Sequence, residues 1–144
     1  MVHELQRLRR LHILLVDDDP GAYNRIQQAL GSDFHLYHAQ SLIEARQHLI
    51  EYVPDIVICE VQLGKESGLE LCRFIRNTPT LHYLPLMLLT SLTTLQDKIA
   101  GFDAGADDYV VKPYDARHLM ARTYQTVTSL TPTCVNVYSH IQST

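Results

Sequence analysis

The chain has 144 residues, 46% of them hydrophobic and 19% charged, with a net charge of -4 at neutral pH. That length predicts one domain able to bury a core without staples, and the acidic balance argues against nucleic-acid binding by the domain itself. No apolar run approaches the roughly 20 residues needed to span a bilayer, and residues 1–10 are too polar for a signal peptide, so a cytoplasmic protein is expected.

Residues 1–10 read as a solvated arm carrying Arg7, Arg9 and Arg10. Leu11 to Val16 is apolar except for His12, as a strand buried on both faces should be. Asp19 and Pro20 predict an N-cap and first helical residue, with Ala22, Ile26, Ala29 and Leu30 as the inner stripe and Gly31 as the stop. Phe34 to Ala39 is a second strand, polar enough for a sheet edge. Ser41 and Glu44 predict a capping box, with Leu42, Ala45, Leu49 and Ile50 facing inward until Pro54 halts the helix.

Asp55 to Cys59 is a third strand, Gly64 to Gly68 a turn, and Leu69, Cys72, Phe74 and Ile75 mark a third helix. Leu84 to Thr90 is a fourth strand. Leu95, Ile99, Phe102 and Ala106 support a fourth helix, closed around Gly105. Tyr109 to Val111 is a short fifth strand, and Asp115 caps a last helix through Ala116, Leu119, Met120, Tyr124 and Val127. Residues 129–144 leave the pattern, and a linker, a stray strand or a polar tail all fit them.

Five strand–helix units imply a parallel sheet with right-handed crossovers and helices on both faces. The expected fold class is α/β, a flavodoxin-like, doubly wound (βα)5 three-layer sandwich with strand order 2-1-3-4-5, spanning residues 11–128. Cys59, Cys72 and Cys134 are odd in number and far apart, which excludes a CxxC motif and suits reduced thiols. The eight histidines show no metal-ligand spacing; His35 and His38, three apart in a strand, point to opposite faces.

In such a sheet the functional groups lie beyond the carboxyl ends of the strands. Strand 1 ends in Asp17, Asp18 and Asp19, strand 3 in Glu60, strand 4 in Thr90 and Ser91, and strand 5 in Lys112 followed by Pro113. The carboxylates suit a Mg²⁺ ion, and the hydroxyl and ammonium could grip an oxyanion.

The strings ILLVDDD, PDIVICEVQL, LMLLTS and GADDYVVKPYD resemble the four signature segments of response-regulator receiver domains of bacterial two-component systems, from about Leu11 to Val127. The resemblance implies a signalling switch, not an enzyme, that takes a phosphoryl group from a histidine kinase. It assigns Asp17, Asp18 and the acceptor position Glu60 to Mg²⁺, Thr90 and Lys112 to the phosphoryl group, and Thr90 with Tyr109 to the switch. It implies a cis bond before Pro113. It also implies a homodimer through the fourth helix, fifth strand and fifth helix, where Lys98, Asp108 and Arg122 match charged positions and His118 replaces a common glutamate.

Glu60 stands where the family carries its phosphoacceptor aspartate, Gly64 where many members have proline, and Leu92 where polar residues are frequent. An extra methylene moves the carboxylate by up to about 1.5 Å, towards Thr90 and Lys112. A pseudo-receiver that acts without phosphorylation is therefore expected, a slow phosphoreceiver being the alternative. A nucleotide- or flavin-binding enzyme is disfavoured, because three aspartates in the first loop would repel a phosphate.

Overall fold

The computed structural model describes residues 10–130. β1 (Leu11–Val16) pairs in parallel with β2 (Phe34–Ala39) on one side and β3 (Ile56–Cys59) on the other. β6 (Leu86–Thr90) follows β3, and β7 (Asp108–Val111) closes the far edge. The sheet order β2-β1-β3-β6-β7 is the expected 2-1-3-4-5 once the two-residue strands β4 (Gln62–Leu63) and β5 (Glu66–Ser67) are set apart. These two form an antiparallel hairpin whose turn, at Gly64 and Lys65, falls within the turn expected from Gly64 to Gly68.

Alternate strand residues point to opposite faces, so each face has its own core. Leu14, Val16, Val57 and Leu88 pack under α2 (Leu42–Glu51) and α3 (Gly68–Asn77). Ile13, Leu15, Ile58 and Leu89 pack under α1 (Ala22–Leu30) and α5 (Ala116–Leu130). The outer strand β2 is the more polar one, as an edge requires. α5 passes the expected boundary at residue 128 by two residues; the arm over residues 1–9, Cys134 and the rest of the tail lie outside the described residues.

Local details depart from expectation. The regular α-helical bonding of α1 starts at Ala22, two residues after Pro20, but Asp19 caps the turn that leads into it: its Oδ1 accepts from Gly21 N at 2.9 Å and its carbonyl from Ala22 N at 3.1 Å. Ser41 Oγ does accept from Glu44 N at 3.2 Å, but Glu44 Oε2 accepts from Gln40 N at 2.8 Å instead of closing a box on Ser41. Ile50 is exposed.

The largest departure is α4 (Leu95–Asp103). Leu95, Ile99 and Phe102, whose apolar spacing marks the helix, are 69%, 49% and 48% exposed. Gly101 is the residue that docks: a Cβ there would lie 2.7 Å from Leu88 Cδ1 and 3.1 Å from Tyr109 Cδ2. The backbone therefore sits directly on the sheet, and the apolar stripe turns outward. On α5 the buried face carries Leu119, Thr123 and Thr126, whereas Ala116 and Tyr124 are exposed. The threonines tolerate burial because their hydroxyls donate to Leu119 O at 2.8 Å and Arg122 O at 2.7 Å, four residues back.

Candidate functional site

Backbone pairing brings the strand ends to one rim. Asp17 N donates to Ala39 O at 3.0 Å, Glu60 N to Val16 O at 2.8 Å, and Lys112 N to Thr90 O at 2.8 Å. α3 enters against the same rim, since Gly68 N donates to Val61 O at 2.7 Å. A Cβ on Gly68 would stand 2.1 Å from the Glu60 carbonyl oxygen, so only glycine permits that approach.

Asp17, Glu60 and Thr90 are buried, and Asp18 is exposed. Lys112 Nζ lies 2.8 Å from Asp17 Oδ2 and 3.2 Å from Glu60 Oε1, bridging the ends of β1 and β3. Asp17 Oδ1 accepts from Asp19 N at 2.9 Å. Glu60 Oε2 accepts from Val61 N at 2.6 Å and Gln62 N at 3.3 Å. Burial opposes the charge on Lys112, but its bonds and charge interactions with Asp17 and Glu60 outweigh that and hold the ammonium above the usual lysine range.

Glu60 thus reaches Lys112 as expected, but not Thr90. Its second oxygen turns to the amides of its own loop, and Thr90 Oγ1 instead accepts from Leu92 N at 3.3 Å. Tyr109 is half-buried and donates its hydroxyl to Leu92 O at 2.8 Å. The loop after β6 is therefore fixed from both ends by Thr90 and Tyr109.

The donors expected for Mg²⁺ do not fit one. The Lys112 ammonium stands between Asp17 and Glu60, each of their oxygens already has a donor, and Asp18 faces solvent with no partner among the described residues. No three His, Cys, Asp or Glu among the described residues are placed to hold a metal ion. The Lys112 ammonium occupies the place where the resemblance implies a cation shared by Asp17, Asp18 and Glu60.

On the adjoining face Arg122 Nε donates to Asp108 Oδ2 at 2.7 Å within the same chain, and Asp108 raises the guanidinium's pKa. Lys98 makes no ion pair among the described residues, and His118 is exposed. The Lys112–Pro113 bond is cis, as expected.

Three supports of the site lie outside the expected residue set. His38 Nε2 lies 2.8 Å from Asp17 O, the backbone amides after Glu60 bind its carboxylate, and the Leu92 carbonyl receives Tyr109. Each involves main-chain atoms, which carry no side-chain signature. His38 and His35 do face opposite ways, His35 stacking on His12 at 4.6 Å.

Residues 13–124 match the family described as the response regulator receiver domain. The DNA-binding dual master transcriptional regulator RpaA of Synechocystis sp. is 33% identical over 111 residues, 76% of this chain and 46% of that protein. The response regulator MprA of Mycobacterium sp. is 35% identical over 113 residues, 78% of this chain and 48% of that protein. This chain thus spans about half the length of these curated relatives. A solved structure assigned as a response regulator, from Chloroflexus aurantiacus, superposes with a TM-score of 0.78 at 34% identity, covering 83% of this chain and 98% of that one.

Proposed function

This chain belongs to the response regulator receiver family, and on that premise we propose that it is a signalling module whose state does not depend on phosphorylation. The observation that carries the proposal is the commitment of both Glu60 oxygens, one to Lys112 at 3.2 Å and one to the amides of Val61 and Gln62. Phosphoryl transfer depends on in-line positioning, and misplacing a nucleophile by about 1 Å costs on the order of 100-fold. Lys112, whose counterpart in the family grips a phosphoryl group, is neutralised here by carboxylates within the chain.

Tyr109 and Thr90 form the switch, held in one arrangement through Leu92. The face beside them is a surface for self-association. Leu95, Ile99 and Phe102 present an exposed apolar stripe next to Lys98 and the Asp108–Arg122 pair, the face by which the resemblance implies a homodimer. A signalling partner, a histidine kinase among the candidates, would meet the groove of about 660 Å³ beside Lys112, with Ile26 and Leu89 among its lining residues. No described helix is long and apolar enough to cross a membrane.

Incubation with acetyl phosphate and Mg²⁺, read by intact mass, tests the proposal. The wild type should gain no phosphate, whereas Glu60→Asp should be labelled. A stoichiometric phosphate mapped to Glu60 would overturn it.

A further inference from the structure

Asp17 and Glu60 are 3% and 7% exposed, and they stand at the same rim of the sheet. Two carboxylates withdrawn from water side by side persist as charges only with a cation between them. Lys112 supplies that cation from within the chain, at 2.8 Å and 3.2 Å. The other two oxygens accept backbone N–H groups of Asp19, Val61 and Gln62, so the pair is satisfied without a further ligand.

A divalent ion would have to displace the ammonium from both carboxylates. It would gain only Asp18 as a carboxylate not already bonded, and it would leave Lys112 half-buried beside a second positive charge. Mg²⁺ also dehydrates reluctantly and demands near-octahedral oxygen geometry, which two carboxylates already bonded elsewhere do not offer.

We infer that Lys112 is the resident cation of this site, so that the receiver holds its rim together by an Asp17–Lys112–Glu60 triad and operates independently of divalent metal. The inference rests on the phosphorylation-independent reading, through the length of Glu60. A carboxylate drawn back by up to about 1.5 Å, as in aspartate, would leave hydrogen-bond distance of Nζ and loosen the triad.

Titration of the full chain with MgCl₂, followed by amide chemical shifts and melting temperature, tests the inference. In the wild type, the signals of Asp17, Asp18 and Glu60 and the melting temperature should stay unmoved up to about 10 mM Mg²⁺. Lys112→Met removes the charge at similar size, and should make both respond at millimolar metal. Glu60→Asp should respond likewise, and keeps the test available if Lys112→Met fails to fold. Saturable binding to the wild type below about 1 mM would overturn the inference, as would variants that remain indifferent to metal. Phosphodonor labelling separates the two readings: a wild type that binds Mg²⁺ but takes no phosphate overturns the metal-independent triad alone, whereas labelling at Glu60 overturns both.

Discussion

Lys112 Nζ lies 3.2 Å from Glu60 Oε1, so the residue at the acceptor position and the residue that would grip its phosphoryl group are bonded to each other. The same ammonium holds Asp17 at 2.8 Å, tying the ends of β1, β3 and β7 into one cluster.

Lys112→Met should therefore cost more stability than Glu60→Gln. Removing the lysine leaves two buried carboxylates without their cation, an expected loss of about 2–4 kcal/mol. Glu60→Gln keeps the Asp17–Lys112 bond and the size of the side chain, and should cost about 1–2 kcal/mol. Urea denaturation at neutral pH measures both.

The pH dependence of that stability has a defined sign. The folded-state pKa of Lys112 is raised above its ordinary 10.5. The stabilisation is therefore fully present below the ordinary lysine value and is lost as pH climbs through the higher folded-state value. The gap in urea midpoint between wild type and Lys112→Met should hold steady from neutral pH to the ordinary lysine range, then narrow above it. A gap that stays constant as pH climbs well past the ordinary lysine range would contradict the assignment to Lys112.

At the opposite end of the sheet, Arg76 should prove the costliest surface arginine. Its guanidinium donates to Gly105 O at 2.9 Å, His82 O at 3.0 Å, Leu84 O at 2.7 Å and Asp107 Oδ2 at 2.7 Å. Arg76→Ala strands three carbonyls and a half-buried carboxylate whose pKa burial already raises. A loss of about 2–4 kcal/mol is expected, whereas Arg117→Ala, on an exposed stretch of α5, should change stability by less than about 0.5 kcal/mol.

Tyr109→Phe removes the bond to Leu92 O while keeping the ring against Gly101. The loop from Thr90 to Leu92 should exchange its amide hydrogens faster, with a stability loss of about 1 kcal/mol. Unchanged protection at Leu92 would show that Tyr109 does not hold the loop.

Self-association should depend on the exposed stripe of α4. Phe102→Asp should weaken it at least roughly tenfold, about 1.4 kcal/mol, and leave monomer stability within about 0.5 kcal/mol because the side chain is half in water. Sedimentation velocity distinguishes this from a face that is simply solvated, for which the variant and the wild type would sediment alike.

Strand order and the composition of the rim were legible because both follow from period and position. A parallel sheet buries continuous apolar runs, and each run here ends in the polar residue that the rim displays. Helix orientation was less legible. Leu95, Ile99 and Phe102 recur at helical spacing whichever way they face, and only contact at Gly101 turns them outward. Thr123 and Thr126 read as polar, yet each satisfies its hydroxyl on its own helix and is buried. For Glu60 the residue type announced a displaced carboxylate, but its destination depended on the amides of Val61 and Gln62, which any residues at those positions would present.

The most direct test of the Lys112–Glu60 pairing is the titration of Lys112 itself, followed through its ¹⁵Nζ resonance in the wild type and in Glu60→Gln, with amide spectra confirming the fold at each pH. The pairing predicts a midpoint above 10.5 in the wild type that falls in Glu60→Gln, because one of the two carboxylates holding the proton has been neutralised. A midpoint at the ordinary lysine value, unmoved by Glu60→Gln, would contradict it.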